Sequence, residues 1–295
     1  MMKKWVDSIG MHTTTPYLWT GGEHYGDWLG LDAPSGSYKG SSREDFIASA
    51  FYAYSTELVI RAGEALGEEV SAYQALYQNI LKTFRATYPE YYTQTECVLA
   101  LHFHLCEDPE KTVQQLAEKI WACGHHLETG FVGTPYLLHV LSSHGETKLA
   151  YDLLLREEYP SWLYPVTRGA TTIWEHWDGI HEDGSFWSDD MNSFNHYAYG
   201  AVADWVYQVA AGITPLAPGY QKVKIAPQPD ARLEELEAYL QTEAGLVHSK
   251  WHKTPAGWCY EVTTPVCAEV YIGTRKYEVE PGSYRYYSPI EVENH

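Results

Sequence analysis

The hydrophobic period of this chain changes once, at Pro218-Gly219, and that change constrains the fold more than any other feature. Before it, apolar residues return every three to four positions, as on the buried face of a helix: Phe46, Ile47, Ala50, Tyr54 and Leu58 in one run, then Tyr73, Leu76, Tyr77, Ile80, Leu81 and Phe84 in the next. After it, short segments at 222–226, 237–242, 246–251, 258–263, 268–272 and 284–287 alternate and are rich in β-branched and aromatic residues. Gly245, residues 255–257, Gly273 and Pro281-Gly282 separate them. The sequence therefore predicts a mainly α part over residues 1–216 and a C-terminal antiparallel β-sandwich over residues 217–295.

The helical part is well punctuated. Ser41 and Glu44 stand at capping-box spacing before the first long helix, and Gly67 closes it. Asp108-Pro109 and Thr134-Pro135 each read as an N-cap followed by Pro in the first turn. Other helices are expected near 94–105, 147–155 and 192–211. Residues 1–40 read as a short helix, with Trp5 and Ile9 on one face, and then a Gly- and Pro-broken loop carrying His24, Asp27 and Trp28. Connections between helices alternate short and long, and the long ones, at 130–133, 159–168 and 174–192, hold the unusual residues. Paired helices with their long loops gathered at one end make a cleft there.

The stretch 171–200 holds the chemistry. It packs three Trp, three His and several carboxylates between glycines, with Trp174, Glu175 and Trp177 as W-E-x-W and Asn195-His196-Tyr197 some twenty residues on. An indole stacks well on the C–H face of a sugar ring, and a carboxylate beside it binds hydroxyls or takes a proton from water. Both indoles could equally be core residues with Glu175 solvated. The abundance of aromatics, 11 Trp and 25 Tyr, and the pair Asp27-Trp28 in a second Gly-rich loop favour a carbohydrate site. Asp27 alone could be a helix or turn cap.

Charge narrows the partners. A formal net charge of −19 argues against nucleic acid and anionic membranes, which need a basic face, and suits a neutral ligand such as a sugar. The start MMKKWVDSIG has no apolar h-region, and no run approaches the roughly 20 apolar residues of a membrane span. The five cysteines are scattered without C-x-x-C, which predicts reduced thiols and a cytoplasmic protein. The histidines lack cysteine partners at zinc-finger spacing, so neither a metal nor a cofactor is expected.

Long blocks of the chain resemble one family. GATTIWEHWDGI, DGSFW and MNSFNHYAYGAVADW, preceded in order by YGDWLGLDAP, DFIASAFYAYST, TQTECVLALHF, HLETGFVGTPYLLHVLS and YPSWLYPV, are similar to the bacterial α-L-rhamnosidases, glycoside hydrolase family 78. The resemblance runs from about Gly26 to the C-terminus. It implies an (α/α)6 toroid followed by a β-sandwich, and the seven helices of the pattern would be roughly the second half of such a toroid. It also implies an inverting hydrolase, whose two carboxyl groups stand about 6.5–9.5 Å apart to admit a water. The family's general base falls on Glu175, its sugar-binding histidine on His196, and further rhamnose contacts on Asp27, with Trp28, Trp174 and Trp177 as aromatic walls.

The family's general acid, a Glu in an Asp- and Arg-rich motif ahead of G-D-W, has no match in the 26 residues before Asp27, although Glu23 lies close by. The resemblance thus implies a chain holding the base half of a site for terminal α-L-rhamnose, as from a truncated or split gene. It would be weakly active or inactive alone, with a partner chain supplying the other barrel half, or a homo-oligomer. A non-catalytic rhamnose-binding or assembly subunit, and another (α/α)6 glycosidase, are the competing readings. The remaining polar residues read plainly: His181, Glu182 and Asp183 as a solvated turn, Tyr197 as packing, Trp187 as either, and Trp251 and Trp258 as core.

Overall fold

The structure is a computed structural model and describes residues 1–289. It divides into two compact units at Tyr199/Gly200. The break in hydrophobic period lies further on, at Pro218-Gly219, and the predicted boundary at 216/217.

The first unit is built from helix hairpins. Helix α1 (Met2–His12) lies against α2 (Glu44–Ala65). Helix α2 pairs with α3 (Ser71–Thr87), α4 (Gln94–His102) with α5 (Pro109–Ala122), and α6 (Thr134–Ser143) with α7 (Thr147–Leu154). In addition α4 packs on both α2 and α6. Burial sorts these helices into two layers. Helix α2 buries residues around most of its circumference, and α4 buries every residue from Gln94 to Leu101. By contrast α3 buries only Ile80 and Phe84, and α5 a single stripe through Val113, Leu116 and Ile120. A helix that is apolar all round has to be enclosed, and an amphipathic one covers it. So α2 and α4 are inner helices and α3 and α5 outer ones, and α6, which packs on α4, continues the inner row with α7 as its hairpin partner. These are three successive hairpins of a helical toroid.

Two helix starts, of α4 and α5, follow local chemistry. The Asp108 carboxylate accepts the Lys111 N–H at 3.0 Å, and the Thr93 hydroxyl accepts the Glu96 N–H at 3.1 Å. Thr134, expected as the N-cap of α6, lies inside that helix after the N-cap Gly133, and its hydroxyl bonds Thr129 instead. The capping box predicted at Ser41 does not form. Arg43 is the N-cap of α2, and Glu96, wholly buried and 53 residues away, accepts its N–H at 3.0 Å and its guanidinium at 2.8 and 2.9 Å. Ser41 turns instead to the Asp32 carbonyl, and Glu44 to Lys39. The predicted connection 159–168 contains a short helix, α8 (Leu163–Thr167). The helix expected from residue 192 starts only at Ala198, as a 3-10 turn Ala198–Ala201, an α turn α9 (Val202–Trp205) and a π turn Val206–Ala210. Residues 192–197 are held in a different pairing, described below.

The second unit is a sandwich of two four-stranded sheets. One has the order β1 (Ile213–Pro215), β2 (Val223–Ile225), β6 (Ala268–Ile272), β7 (Arg275–Val279). The other runs β3 (Glu235–Thr242), β4 (Gly245–Thr254), β5 (Gly257–Thr264), β8 (Gly282–Ser288). All neighbours are antiparallel except β2 and β6, which are parallel. Every second residue faces the core: Val247, Ser249 and Trp251 on β4, and Trp258, Tyr260 and Val262 on β5. Trp251 and Trp258 meet edge-on at 5.3 Å. Inside this core the Trp251 indole donates to the Ala210 carbonyl at 2.8 Å and the Ser249 hydroxyl to that of Ala211 at 2.7 Å, so neither polar atom is buried unpaired. Strands β1 and β7 escape prediction because one ends in Pro and the other, RKYEV, is mostly charged and exposed.

Candidate active site

Asp27, Trp28 and Phe131 lie on loops just ahead of the inner helices, and Glu175 and His196 on the segment that follows α8. The loop 26–40 leads into α2 and the loop 128–133 into α6, while Thr95 sits in the first turn of α4. Asp27 ties all three together. Its Oδ2 accepts the Thr95 hydroxyl at 2.5 Å and the Gly130 N–H at 2.8 Å, and its Oδ1 accepts the Val132 N–H at 2.9 Å. Burial pushes the Asp27 carboxyl above the usual carboxylate range, against the pull of these three hydrogen bonds. Asp27 was expected to touch sugar hydroxyls. At 1% exposure, with both oxygens bonded inside the protein, it instead fixes the loops from beneath.

Glycine is required where these loops cross. A Cβ on Gly130 would stand 2.3 Å from the Trp28 carbonyl oxygen and 2.6 Å from the Gly30 nitrogen, both backbone atoms. The next residue, Phe131, donates its N–H to the same Trp28 oxygen at 2.8 Å.

The two indoles of W-E-x-W are not stacking walls. Trp174 and Trp177 are 5% and 2% exposed. Trp177 lies parallel to Tyr199, centroids 3.8 Å apart, and edge-on to Trp162 at 5.2 Å. Trp174 meets Phe194 edge-on at 5.4 Å. A segment without regular hydrogen bonding needs apolar anchors to hold its course, and these indoles supply them. Between the two anchors Glu175 is half-buried.

Glu175 and His196 are brought together by a short ladder. The Glu175 N–H donates to the Ser193 carbonyl at 2.8 Å, and the His196 N–H to the Ile173 carbonyl at 2.8 Å. The Thr172 hydroxyl donates to the Phe194 carbonyl. The Ser193 N–H then binds Glu175 Oε2 at 3.0 Å, and the second carboxylate oxygen has no partner among the described residues. The half-buried His196 ring stacks on Phe131, centroids 4.9 Å apart and 20° from parallel. Asp27 thus acts on His196 at one remove, by holding the loop that carries Phe131.

Beneath this ladder lies Tyr199. It is 1% exposed, with Phe131 edge-on to it at 5.3 Å. Burial, then the negative charge of Asp27 and of Glu175, pushes its phenol well above its usual range. Its hydroxyl and the Trp177 Nε1 are both buried without a hydrogen-bond partner among the described residues, a cost of about 1–3 kcal/mol each.

Sequence reasoning missed an aromatic row that extends from Trp28. The Trp28 ring contacts Tyr25 at 5.3 Å and Tyr38 at 5.5 Å, Tyr38 contacts Trp187 at 5.9 Å, and Trp187 stacks on His176 at 3.8 Å. Tyr25 and Tyr38 are exposed, and Trp28 and Trp187 half-exposed. Tyr25 and Trp28 were visible as neighbours in the sequence. Their meeting with Trp187 was not. The predicted solvated turn is also more structured than expected: Asp178 bonds His176 through one oxygen and lies 3.4 Å from His181 through the other. A cavity of about 430 Å³ lined by Asp32, Thr93, Gln94, Cys123 and Glu128 includes neither Glu175 nor His196.

Inner and outer helices in three hairpins, with a carboxylate and an imidazole on the loops between elements, are the arrangement of part of a helical-hairpin glycosidase domain. Residues 1–210 match the bacterial alpha-L-rhamnosidase 6 hairpin glycosidase domain, and residues 212–285 match the bacterial alpha-L-rhamnosidase C-terminal domain. The chain belongs to the bacterial α-L-rhamnosidase family. It is 40% identical over 287 residues to an α-L-rhamnosidase of Formosa agariphila, covering 93% of this chain and 31% of the relative. It is 38% identical over 258 residues to one of Streptomyces avermitilis, covering 84% of this chain and 24% of that protein. Among solved structures, the Streptomyces avermitilis α-L-rhamnosidase complexed with L-rhamnose superposes with a TM-score of 0.88 at 34% identity, over 96% of this chain and 30% of that one. The native enzyme of Aspergillus terreus gives 0.87 at 29% identity, over 97% and 35%. The chain therefore spans about a third or less of the length of these relatives.

Proposed function

We propose that this chain carries the base side of an inverting α-L-rhamnosidase site. In this reading Glu175 takes a proton from a water that attacks the anomeric carbon on the face opposite the leaving oxygen. The observation that carries it is the state of the Glu175 carboxylate, with one oxygen fixed by the Ser193 N–H and the other without a partner among the described residues. A carboxylate so placed is oriented yet still able to accept a proton. His196, braced on Phe131, offers a ring nitrogen to sugar hydroxyls, and Trp28 offers an apolar face to the C–H side of the ring. The ligand is terminal α-L-rhamnose of a glycoside. The names of the relatives and the L-rhamnose in a superposable structure support this choice.

The general acid is assigned to polypeptide outside these 295 residues, in the same protein or in a partner, because the acid motif has no match ahead of Asp27. Glu23 does not replace it in this reading; it is exposed, and the residues around it do not fit the motif. An aryl α-L-rhamnoside assay tests the assignment. The chain alone should hydrolyse it no faster than its Glu175→Gln variant. Strong turnover by the chain alone, abolished by Glu175→Gln, would place a complete acid–base pair inside it and overturn the assignment.

A further inference from the structure

The outer face of the β3–β4–β5–β8 sheet carries a cluster that the glycosidase reading does not use. His252 on β4 and Cys259 on β5 are directly opposed in the antiparallel ladder, and Glu261 stands two residues beyond Cys259 on the same face. Their neighbours Trp251, Trp258, Tyr260 and Val262 point the other way, into the sandwich core. One ring nitrogen of His252, the sulfur of Cys259 and a carboxylate oxygen of Glu261 all lie within 4.8 Å of one another. Cys259 is 3% exposed, between His252 on one side and Tyr287 on the other. The His252 Nδ1 is buried and has no hydrogen-bond partner among the described residues. A buried imidazole nitrogen left unpaired costs free energy unless something binds it.

We propose that His252, Cys259 and Glu261 form a zinc site that clasps β4 to β5. Thiolate, imidazole and carboxylate are the donors that Zn²⁺ takes, and three protein ligands leave one tetrahedral position open to water. Zinc holds sulfur at about 2.3 Å and nitrogen or oxygen at about 2.0–2.2 Å, which sets neighbouring ligand atoms roughly 3.5 Å apart. Ligand atoms already lie within 4.8 Å of one another, so reaching that spacing takes only small movements. Binding converts the Cys259 thiol to a thiolate and releases one proton to solvent, with no change of oxidation state. Glu261 also contacts Arg285 at 3.2 Å, a cation the metal has to compete with. The site escaped sequence analysis because residues seven apart in the chain meet only when β4 and β5 pair.

The test is metal titration of the full chain, with Zn²⁺ against a chromogenic chelator and with Co²⁺ read by its absorption spectrum. The expected result is one equivalent of Zn²⁺ and, with Co²⁺, a thiolate-to-metal charge-transfer band. Cys259→Ser should remove the band and weaken Zn²⁺ binding at least tenfold, and His252→Ala should weaken it similarly. Arg285→Gln should tighten it, since it frees the Glu261 carboxylate. Cys267→Ser, at an exposed cysteine just ahead of β6, should change nothing. Circular dichroism of each variant shows that it has folded. Zn²⁺ affinity and a charge-transfer band that survive Cys259→Ser in folded protein overturn the proposal, as does loss of binding on His181→Ala with Cys259 intact.

Discussion

Asp27→Asn tests whether one buried carboxylate holds the floor of the site. The side chain keeps its shape but exchanges one acceptor oxygen for an NH2. Oδ2 now accepts from Thr95 and Gly130, and Oδ1 from Val132, so either placement of the NH2 sets it against a backbone N–H. Thr95 can rotate its hydroxyl to adapt, whereas a backbone N–H cannot. One buried donor is therefore orphaned, at about 1–3 kcal/mol. Urea denaturation followed by circular dichroism should show a loss of that size at neutral pH. The pH dependence gives a second, signed check. Burial raises the Asp27 pKa in the folded protein, so on lowering pH the folded state takes up this proton before the unfolded chain does. Wild type should thus gain stability relative to Asp27→Asn as pH falls from neutral toward about 4. A variant as stable as wild type, with a stability difference that does not vary with pH, would refute the role given to Asp27.

Gly130→Ala should destabilise by about 1–3 kcal/mol or more, measured in the same way, since its Cβ meets unyielding backbone at 2.3 Å. The tryptophans should separate by role. Trp177→Ala, at a site 2% exposed, should cost about 3–5 kcal/mol of stability. Trp28→Ala should cost well under that while weakening L-rhamnose binding by roughly three- to tenfold, the worth of one aromatic stacking contact. Burial, then the neighbouring His139 and His104, holds His102 down at about 4 from an ordinary 6.5. The unfolded chain binds that proton below about 6.5 and the folded protein does not until about 4. Stability is therefore complete above 6.5 and falls as pH drops through this window, by up to about 2 kcal/mol at pH 5. Denaturation at pH 7 and 5 should show this loss, and His102→Gln should shrink it.

What could be read from the sequence was what depends on local spacing. Helices α3, α5 and α7 follow from apolar stripes, the start of α5 from Asp108-Pro109, and most of the strands from alternation. Strands β1 and β7 apart, the main failures share a physical cause, a partner distant in the chain. Ser41 and Glu44 have the right spacing for a cap, but Glu96 takes the position through a buried ion pair with Arg43. Residues 192–197 look like helix and are drawn into a ladder with 173–175. The W-E-x-W motif located Glu175, yet nothing in four residues says which way an indole faces. Trp174 and Trp177 pack inward, and the exposed aromatic row of Trp28, Tyr38 and Trp187 comes from segments about 150 residues apart. Asp27 stood out for its type and neighbours, but its task, to join residues 68, 103 and 105 positions away, needed the fold.

The most direct measurement is calorimetric titration of L-rhamnose into the chain and into its His196→Ala and Glu175→Ala variants. If the ladder-held pair forms the sugar site, wild type binds one equivalent saturably, and each truncation weakens binding at least tenfold, about 1.4 kcal/mol. Absence of binding by wild type, or equal binding by all three proteins, would contradict the account.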